Sequence, residues 1–190
     1  MDTDKQPGLW TIANVLSLLR IVLILPFVLA LAGRRSGLAL TLFTAAGLTD
    51  FLDGLAARAL KQKSRLGILL DPAADKLLMT ASFICLSLRS MGGPNYIPVW
   101  LTGSVIGRDL AIALGAYIIV KTRGSRPFVP TLWGKASTVI QIGCIFLVLG
   151  LNRLGDIPSW ISWVYALTLA ATLFSGAHYF ALRFVPWIKK

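Results

Sequence analysis

Half of the acidic residues lie in one short stretch of the chain, residues 50–75. The chain has 8 acidic residues, all of them Asp, and four stand at Asp50, Asp53, Asp71 and Asp75. The first pair is spaced i, i+3 and the second i, i+4, so each pair shares one face if its segment is helical. If the two helices form an antiparallel hairpin, all four carboxylates converge on one site. Carboxylates that close repel each other unless cations lie among them.

The donor set indicates which cations such a site would hold. Carboxylate oxygens without His or Cys favour Mg²⁺, Mn²⁺ or Ca²⁺ over zinc. Two divalent ions about 4 Å apart are a common arrangement for displacement at phosphorus. Gly54 and Ala57 lie on the same helix face as the first two Asp residues and leave room for a phosphorylated ligand, which the planar side chain of Arg58 can reach. The stretch therefore predicts metal-dependent phosphoryl chemistry.

The elements that hold these residues are predicted to be membrane-spanning helices. Hydrophobic residues make up 56% of the 190 and charged residues only 14%, whereas a soluble domain is about one quarter charged. Apolar runs of about twenty residues are long enough to cross the hydrocarbon core of a bilayer. They cover residues 12–32, 38–60, 67–88, 98–120, 132–151 and 160–183. We therefore predict an all-α integral membrane protein with six transmembrane helices, forming one domain over residues 1–190.

Lys and Arg are concentrated in the loops predicted to lie on one side of the membrane. Lys61, Lys63 and Arg65 lie between the second and third spans, and both termini and the fourth loop are also basic. The positive-inside rule then places both termini and the Asp-rich stretch on the cytoplasmic face. We expect the membrane to be a bacterial inner membrane. The net charge of +11 is interspersed with apolar runs, which favours membrane lipids and phosphorylated substrates over nucleic acid as partners.

The spacing of the acidic stretch also resembles a known signature. The stretch reads Asp50-x2-Asp53-Gly54-x2-Ala57-Arg58-x8-Gly67-x3-Asp71-x3-Asp75. Every fixed position of the signature of the CDP-alcohol phosphotransferase family is filled. The resemblance implies an enzyme of phospholipid synthesis that transfers a phosphatidyl group from CDP-diacylglycerol to an alcohol and releases CMP.

The resemblance further implies roles for individual residues. Two divalent cations, Mg²⁺ or Mn²⁺, would be the cofactors, and Asp75 would also act as the general base. The implied metal ligands are Asp50, Asp53, Asp71 and Asp75. The implied contacts to the CDP-lipid are Asp53, Gly54, Ala57, Arg58 and Gly67.

The acceptor alcohol depends on the later spans. Arg108 and Lys135 lie in or near spans four and five and are candidates to bind an acceptor phosphate. Alternatively, Arg108 pairs with Asp109 or a motif Asp, and Lys135 only extends its amine to the interface. The Arg108-Asp109 pair and the neutral Ala116 resemble the cardiolipin-forming members of the family more than those that make phosphatidylglycerophosphate. The resemblance therefore implies phosphatidylglycerol as acceptor, which gives cardiolipin. Glycerol 3-phosphate, which gives phosphatidylglycerophosphate, remains the main alternative, and inositol phosphate or serine is a further one.

Two other interpretations of the sequence remain open. A small membrane transporter would also carry charged residues inside its spans, but the Asp residues cluster at one face and the two halves show no inverted repeat. The Gly103-x3-Gly107 pattern is typical of close helix packing, either in a homodimer or between spans three and four. His178, the only histidine, is predicted to pack rather than to catalyse.

Overall fold

The computed structural model of the chain is an all-helical bundle. It describes the backbone of residues 12–60, 67–123 and 131–188, and side chains within 17–49, 73–122 and 131–182. These ranges contain six helices and no strand. The helices are α1 (Ile12–Ala32), α2 (Ser36–Leu60), α3 (Gly67–Ser87), α4 (Val99–Arg123), α5 (Leu132–Leu154) and α6 (Ile161–Ile188). The six predicted helices are confirmed, and the ends of most differ from the predicted runs by only a few residues.

Helix α1 lies between α2 and α3 and packs against both of them. Helix α5 packs against α2 and α6, and α4 packs mainly against α6. Among the described residues, α2 and α3 do not pack directly on each other. Helix α1 therefore contacts both helices that carry the Asp motif, while the predicted hairpin contact between their motif ends lies outside the residues whose side chains are described.

The first, third and fifth connections of the bundle lie together at one end. The Arg34 Nε donates a hydrogen bond of 3.3 Å to the carbonyl of Ser90, which links the α1–α2 turn to the α3–α4 loop. Arg153, at the end of α5, lies against Gly37 at the start of α2, with its Cδ 3.6 Å from the position of a Cβ there. This common end is the one expected of six helices that alternate in direction.

Two asparagines hold this end together. The Asn152 Oδ1 accepts hydrogen bonds from the backbone N–H and the Nδ2 of Asn95, at 2.8 and 3.1 Å. The Asn152 Nδ2 donates to the carbonyls of Gly92 and Asn95, at 2.6 and 3.1 Å, and the Asn95 Nδ2 donates to the carbonyl of Asp156 at 2.6 Å. Because Asn95 is buried, these bonds replace water that cannot reach it. We name these two residues the asparagine clamp.

Replacing Asn152 with Ala is expected to destabilise the protein without changing its substrate affinity. The substitution leaves buried donors and acceptors of the α3–α4 loop without partners, which costs about 2 kcal/mol. Thermal unfolding in detergent measures the loss. Asp156→Ala is the matched control, because Asp156 contributes its backbone carbonyl and not its side chain to the clamp. Equal melting temperatures for the two variants would contradict the role of the clamp.

The interior of the bundle changes character along its length. The half beside the asparagine clamp holds an apolar core that includes Phe27, Phe83, Leu86, Leu101 and Leu149. The other half buries polar side chains. They include Ser17, Arg20, Ser137, Gln141, Thr172 and Ser175. The polar interior begins within one helical turn of the apolar core, where Gln141 is followed by Cys144 on α5, and it indicates where chemistry is carried out.

The outer surface is largely apolar. Leu25, Leu114 and Trp163 are exposed large side chains on α1, α4 and α6. In the described residues, three helical segments are long and apolar enough to cross a membrane, at Val99–Thr122, Leu132–Leu154 and Ile161–Leu182. Shorter apolar helical segments cover Ser17–Ala32 and Ser36–Thr49. Apolar side chains outside and polar ones inside suit a protein surrounded by lipid.

Candidate active site

The Asp motif lies on two regular helices. Asp50 and Asp53 are in α2, and Asp71 and Asp75 are in α3, so the i, i+3 and i, i+4 spacings do place each pair on one helix face. Of these four, Asp75 is the residue whose side chain the structure describes. The other motif side chains predicted to contact metal or the CDP-lipid lie outside the described set. They are Asp50, Asp53, Ala57, Arg58 and Asp71, and of Gly54 and Gly67 only the helical position is described.

Asp75 forms an ion pair with Arg20 of α1. The Arg20 side chain is 1% exposed, whereas that of Asp75 is 45% exposed. Burying a guanidinium is costly unless a carboxylate or other acceptors compensate it, so Asp75 explains in part how Arg20 is tolerated inside the bundle. The exposed part of Asp75 remains accessible to a ligand. Its chain neighbour Lys76 pairs instead with Asp109 of α4.

The chemistry of the donor set fits two divalent cations. The motif offers only carboxylate oxygens, the ligands that Mg²⁺ and Mn²⁺ prefer. The described side chains contain no group of three or more His, Cys, Asp or Glu residues that could hold a metal ion. A site for the cations therefore requires the α2 and α3 Asp residues outside that set, and the metal ligands stay a prediction.

A second charged cluster lies beside the motif. The Lys76 Nζ of α3 lies 2.5 Å from the Asp109 Oδ2 of α4, and the Arg108 Nη1 lies 2.8 Å from the Asp109 Oδ1. Among the described residues, Asp109 is thus the carboxylate partner of Arg108, as one alternative from the sequence expected. One carboxylate between two cations leaves the cluster with a net charge of +1, which favours an anionic ligand.

Arg108 is held in a narrow slot between α5 and α6. Its Nη2 donates to the hydroxyl of Ser175. A Cβ at Gly176 would lie 3.3 Å from the Arg108 Cγ, and a Cβ at Gly134 would lie 3.7 Å from Nη2. Gly176 therefore makes room for the side chain, which is 8% exposed, whereas a Cβ at Gly134 would only be in ordinary contact with it. The buried Nε has no partner among the described residues.

The other two residues considered from the sequence occupy the neighbourhood of this slot. Lys135 is exposed in the first turn of α5, directly after Gly134, and forms no ion pair with the described residues. Its place fits either interfacial exposure or contact with a ligand. His178 lies against Phe174, with ring centroids 6.2 Å apart, and against the edge of Trp133. These ring contacts fit the predicted packing role of His178, whose buried Nδ1 has no partner among the described residues.

Sequence reasoning did not assign Arg20, Lys76, Asp109 or Ser175 to the site. The signal for three of them was their charge inside an apolar run, but charge alone does not tell which helix the side chain meets. Ser175 and Gly176 form a pair of small residues in an otherwise bulky span. Such a pair indicates a close approach of another element.

Comparison with known proteins agrees with this arrangement. The family model "CDP-alcohol phosphatidyltransferase" matches residues 10–174. The chain is 33% identical over 190 residues to the human "Cardiolipin synthase (CMP-forming)", covering 90% of this chain and 62% of that protein. It is 34% identical over 197 residues to the rat protein of the same name, covering 93% and 64%.

A second group of relatives is equally similar. The "Probable phosphatidylglycerophosphate synthase" of Mycobacterium tuberculosis is 33% identical over 178 residues, covering 90% of this chain and 80% of that protein. Identity therefore does not choose between the two named activities. What both groups share is the family, and the match over residues 10–174 establishes that the chain belongs to the CDP-alcohol phosphatidyltransferases, which are phosphatidyl-transferring enzymes of phospholipid synthesis.

Proposed function

We propose that this enzyme transfers the phosphatidyl group of CDP-diacylglycerol to phosphatidylglycerol, forming cardiolipin and CMP. A terminal hydroxyl of phosphatidylglycerol attacks the phosphatidyl phosphorus, a new P–O bond forms, and the P–O bond to CMP breaks. The hydroxyl proton passes to Asp75, whose partly exposed carboxylate lies next to Arg20. CMP leaves with the electron pair of the broken bond.

The Asp motif would hold the donor substrate. Asp50, Asp53, Asp71 and Asp75 would bind two divalent cations, Mg²⁺ or Mn²⁺, which when bound neutralise the charge of the diphosphate. The remaining motif residues, Gly54, Ala57, Arg58 and Gly67, would contact the CDP-lipid together with Asp53. Small side chains there leave space for the nucleotide, and Arg58 offers a planar donor to a phosphate oxygen.

The contacts of the Arg108 guanidinium support phosphatidylglycerol as the acceptor. Its Nη1 and Nη2 each donate one N–H, to Asp109 and Ser175, and the buried Nε has no partner among the described residues. A dianionic phosphate monoester is bound best by a guanidinium whose two terminal nitrogens both face it. Terminal nitrogens that two protein groups already contact, together with a net charge of +1, suit a phosphate diester with a single negative charge, as in phosphatidylglycerol. Lys135, exposed nearby, would meet the head group from outside the slot.

Glycerol 3-phosphate is the second candidate acceptor. The relative from Mycobacterium tuberculosis named as a phosphatidylglycerophosphate synthase supports it, because this chain covers 80% of that protein. Membership of an enzyme family leaves no support for the transporter interpretation.

The proposal includes the placement of the protein in the membrane. All six helices would span the bilayer as one domain, with both termini and the active site on the cytoplasmic side of a bacterial inner membrane. The shared position of the first, third and fifth connections at one end supports this alternation. Gly103 and Gly107 have open space where a Cβ would stand, so they do not serve packing within the described bundle. This supports a homodimer rather than contact between α3 and α4.

A two-acceptor assay tests the proposed function. Purified protein with Mg²⁺ and CDP-diacylglycerol receives phosphatidylglycerol in one reaction and glycerol 3-phosphate in another, and mass spectrometry identifies the lipid products. We expect cardiolipin in the first reaction and no phosphatidylglycerophosphate in the second. Phosphatidylglycerophosphate alone would retain the chemistry and replace the acceptor. Omission of divalent cations, with EDTA present, should abolish the formation of cardiolipin.

A further inference from the structure

Asp109 contacts two cations on two different helices. Its Oδ2 accepts from Lys76 of α3 and its Oδ1 accepts from Arg108 of α4. The Asp109 side chain is 18% exposed, and that of Lys76 is 50% exposed. Each carboxylate oxygen therefore has its own cation, which fixes the carboxylate more firmly than a single ion pair does.

The two cations belong to different parts of the proposed site. Lys76 directly follows Asp75, the proposed base, on α3. Arg108 is the proposed ligand of the acceptor phosphate, and its other end is held by Ser175 between Gly134 and Gly176. Asp109 thus connects α3, the helix that carries the proposed base, with the Arg108 side chain, the proposed ligand of the acceptor phosphate.

We propose that Asp109 is a positioning residue, which sets the distance between the Arg108 guanidinium and the reacting end of α3. The inference rests on the proposed function, since it gives Asp109 a part in aligning the acceptor. Alignment of two reactants within a fraction of an ångström contributes strongly to rate. The Asp109 carboxylate is negative and would repel an anionic substrate. Its contribution is therefore to hold its two cationic partners in place.

Charge and geometry predict opposite effects for one substitution. Asp109→Asn keeps the size of the side chain but raises the net charge of the cluster from +1 to +2. By charge alone, an anionic acceptor would bind more tightly and its KM would fall. If Asp109 positions Arg108, the KM for the acceptor rises instead, kcat/KM for the acceptor falls about thirtyfold, and the KM for CDP-diacylglycerol stays within about twofold of wild type.

Background variants separate positioning from a merely structural role. In protein that already carries Arg108→Ala, Asp109→Asn should change the transfer rate less than about twofold, because the residue through which it acts is gone. Asp109→Glu keeps both ion pairs, so it should lose only about threefold, and that loss should also vanish in the Arg108→Ala background. If Asp109→Asn does not fold, Asp109→Glu tests the positioning role instead. Asp156→Asn, an exposed Asp in the α5–α6 connection, is the matched control.

The outcomes are distinct. Transfer by the wild type, loss with Asp109→Asn and no added loss on Arg108→Ala support the inference. An unchanged rate for Asp109→Asn, or a loss that multiplies that of Arg108→Ala, overturns the positioning role and leaves the proposed function intact. A wild-type protein that transfers to neither acceptor overturns the proposed function and this inference together. Melting temperatures of each variant identify losses that come from unfolding.

Discussion

Replacing Asp75 with Asn is expected to lower the kcat of phosphatidyl transfer about a thousandfold, because the substitution removes the proposed general base. The amide has nearly the same shape and keeps an oxygen for Arg20, which contacts the carboxylate in the folded protein. Three motif carboxylates remain to bind cations, so the affinity for CMP with Mg²⁺ changes little. Transfer is measured by release of CMP from CDP-diacylglycerol, and nucleotide affinity by calorimetry.

The comparison with another carboxylate separates this effect from a general change of charge. Asp156→Asn makes the same chemical change in the α5–α6 connection, outside the site, and should keep wild-type turnover. Activity near wild type in Asp75→Asn would remove Asp75 from the role of base. Equal loss of turnover and of nucleotide binding would instead make it mainly a metal ligand.

Replacing Arg108 with Ala is expected to lower kcat/KM for the acceptor about a hundredfold, mainly through a higher KM. The substitution removes the guanidinium whose Nε lies buried in the slot between α5 and α6, without a partner among the described residues. The KM for CDP-diacylglycerol stays close to wild type, because the motif of α2 and α3 binds that substrate. Initial rates with each substrate varied in turn measure both constants.

Two further variants make the Arg108 result specific. Arg108→Lys keeps the charge but loses the planar guanidinium that reaches both Asp109 and Ser175, so it should recover only part of the affinity. Arg153→Ala removes an exposed arginine at the opposite end of α5 and should leave both KM values unchanged. Equal rises in both KM values for Arg108→Ala would mean that Arg108 organises the whole site rather than the acceptor.

The six helices could be predicted from the sequence because the apolar runs and their polar breaks set the helix ends. The run predicted at residues 132–151 became α5, which begins after Thr131 as N-cap and ends at Gly155 in the left-handed region. The arrangement of the helices was harder to predict. The position of α1 between α2 and α3 depends on packing between distant segments, and no local pattern encodes it.

The candidate site shows the same division. The spacing of the Asp residues follows from helical geometry, and the helices are where the spacing requires them. The partners of the charged residues could not be predicted from the sequence. Asp75 meets Arg20 rather than its neighbour Lys76, since adjacent residues of a helix point about 100° apart. Which distant side chain each one meets is decided by the placement of α1 and α4.

The asparagine clamp separates the stability of this bundle from its chemistry. Asn152 lies about 27 Å along α5 from Gly134, which borders the Arg108 slot. Hydrogen bonds and the apolar core stabilise the clamp end, whereas the ion pairs of Asp75 and Asp109 lie at the other end. If Arg108 binds the acceptor as proposed, substrate contacts can replace these ion pairs without breaking the contacts of the clamp. Acceptor preference is then free to diverge through substitutions around Arg108 at little expense in folding.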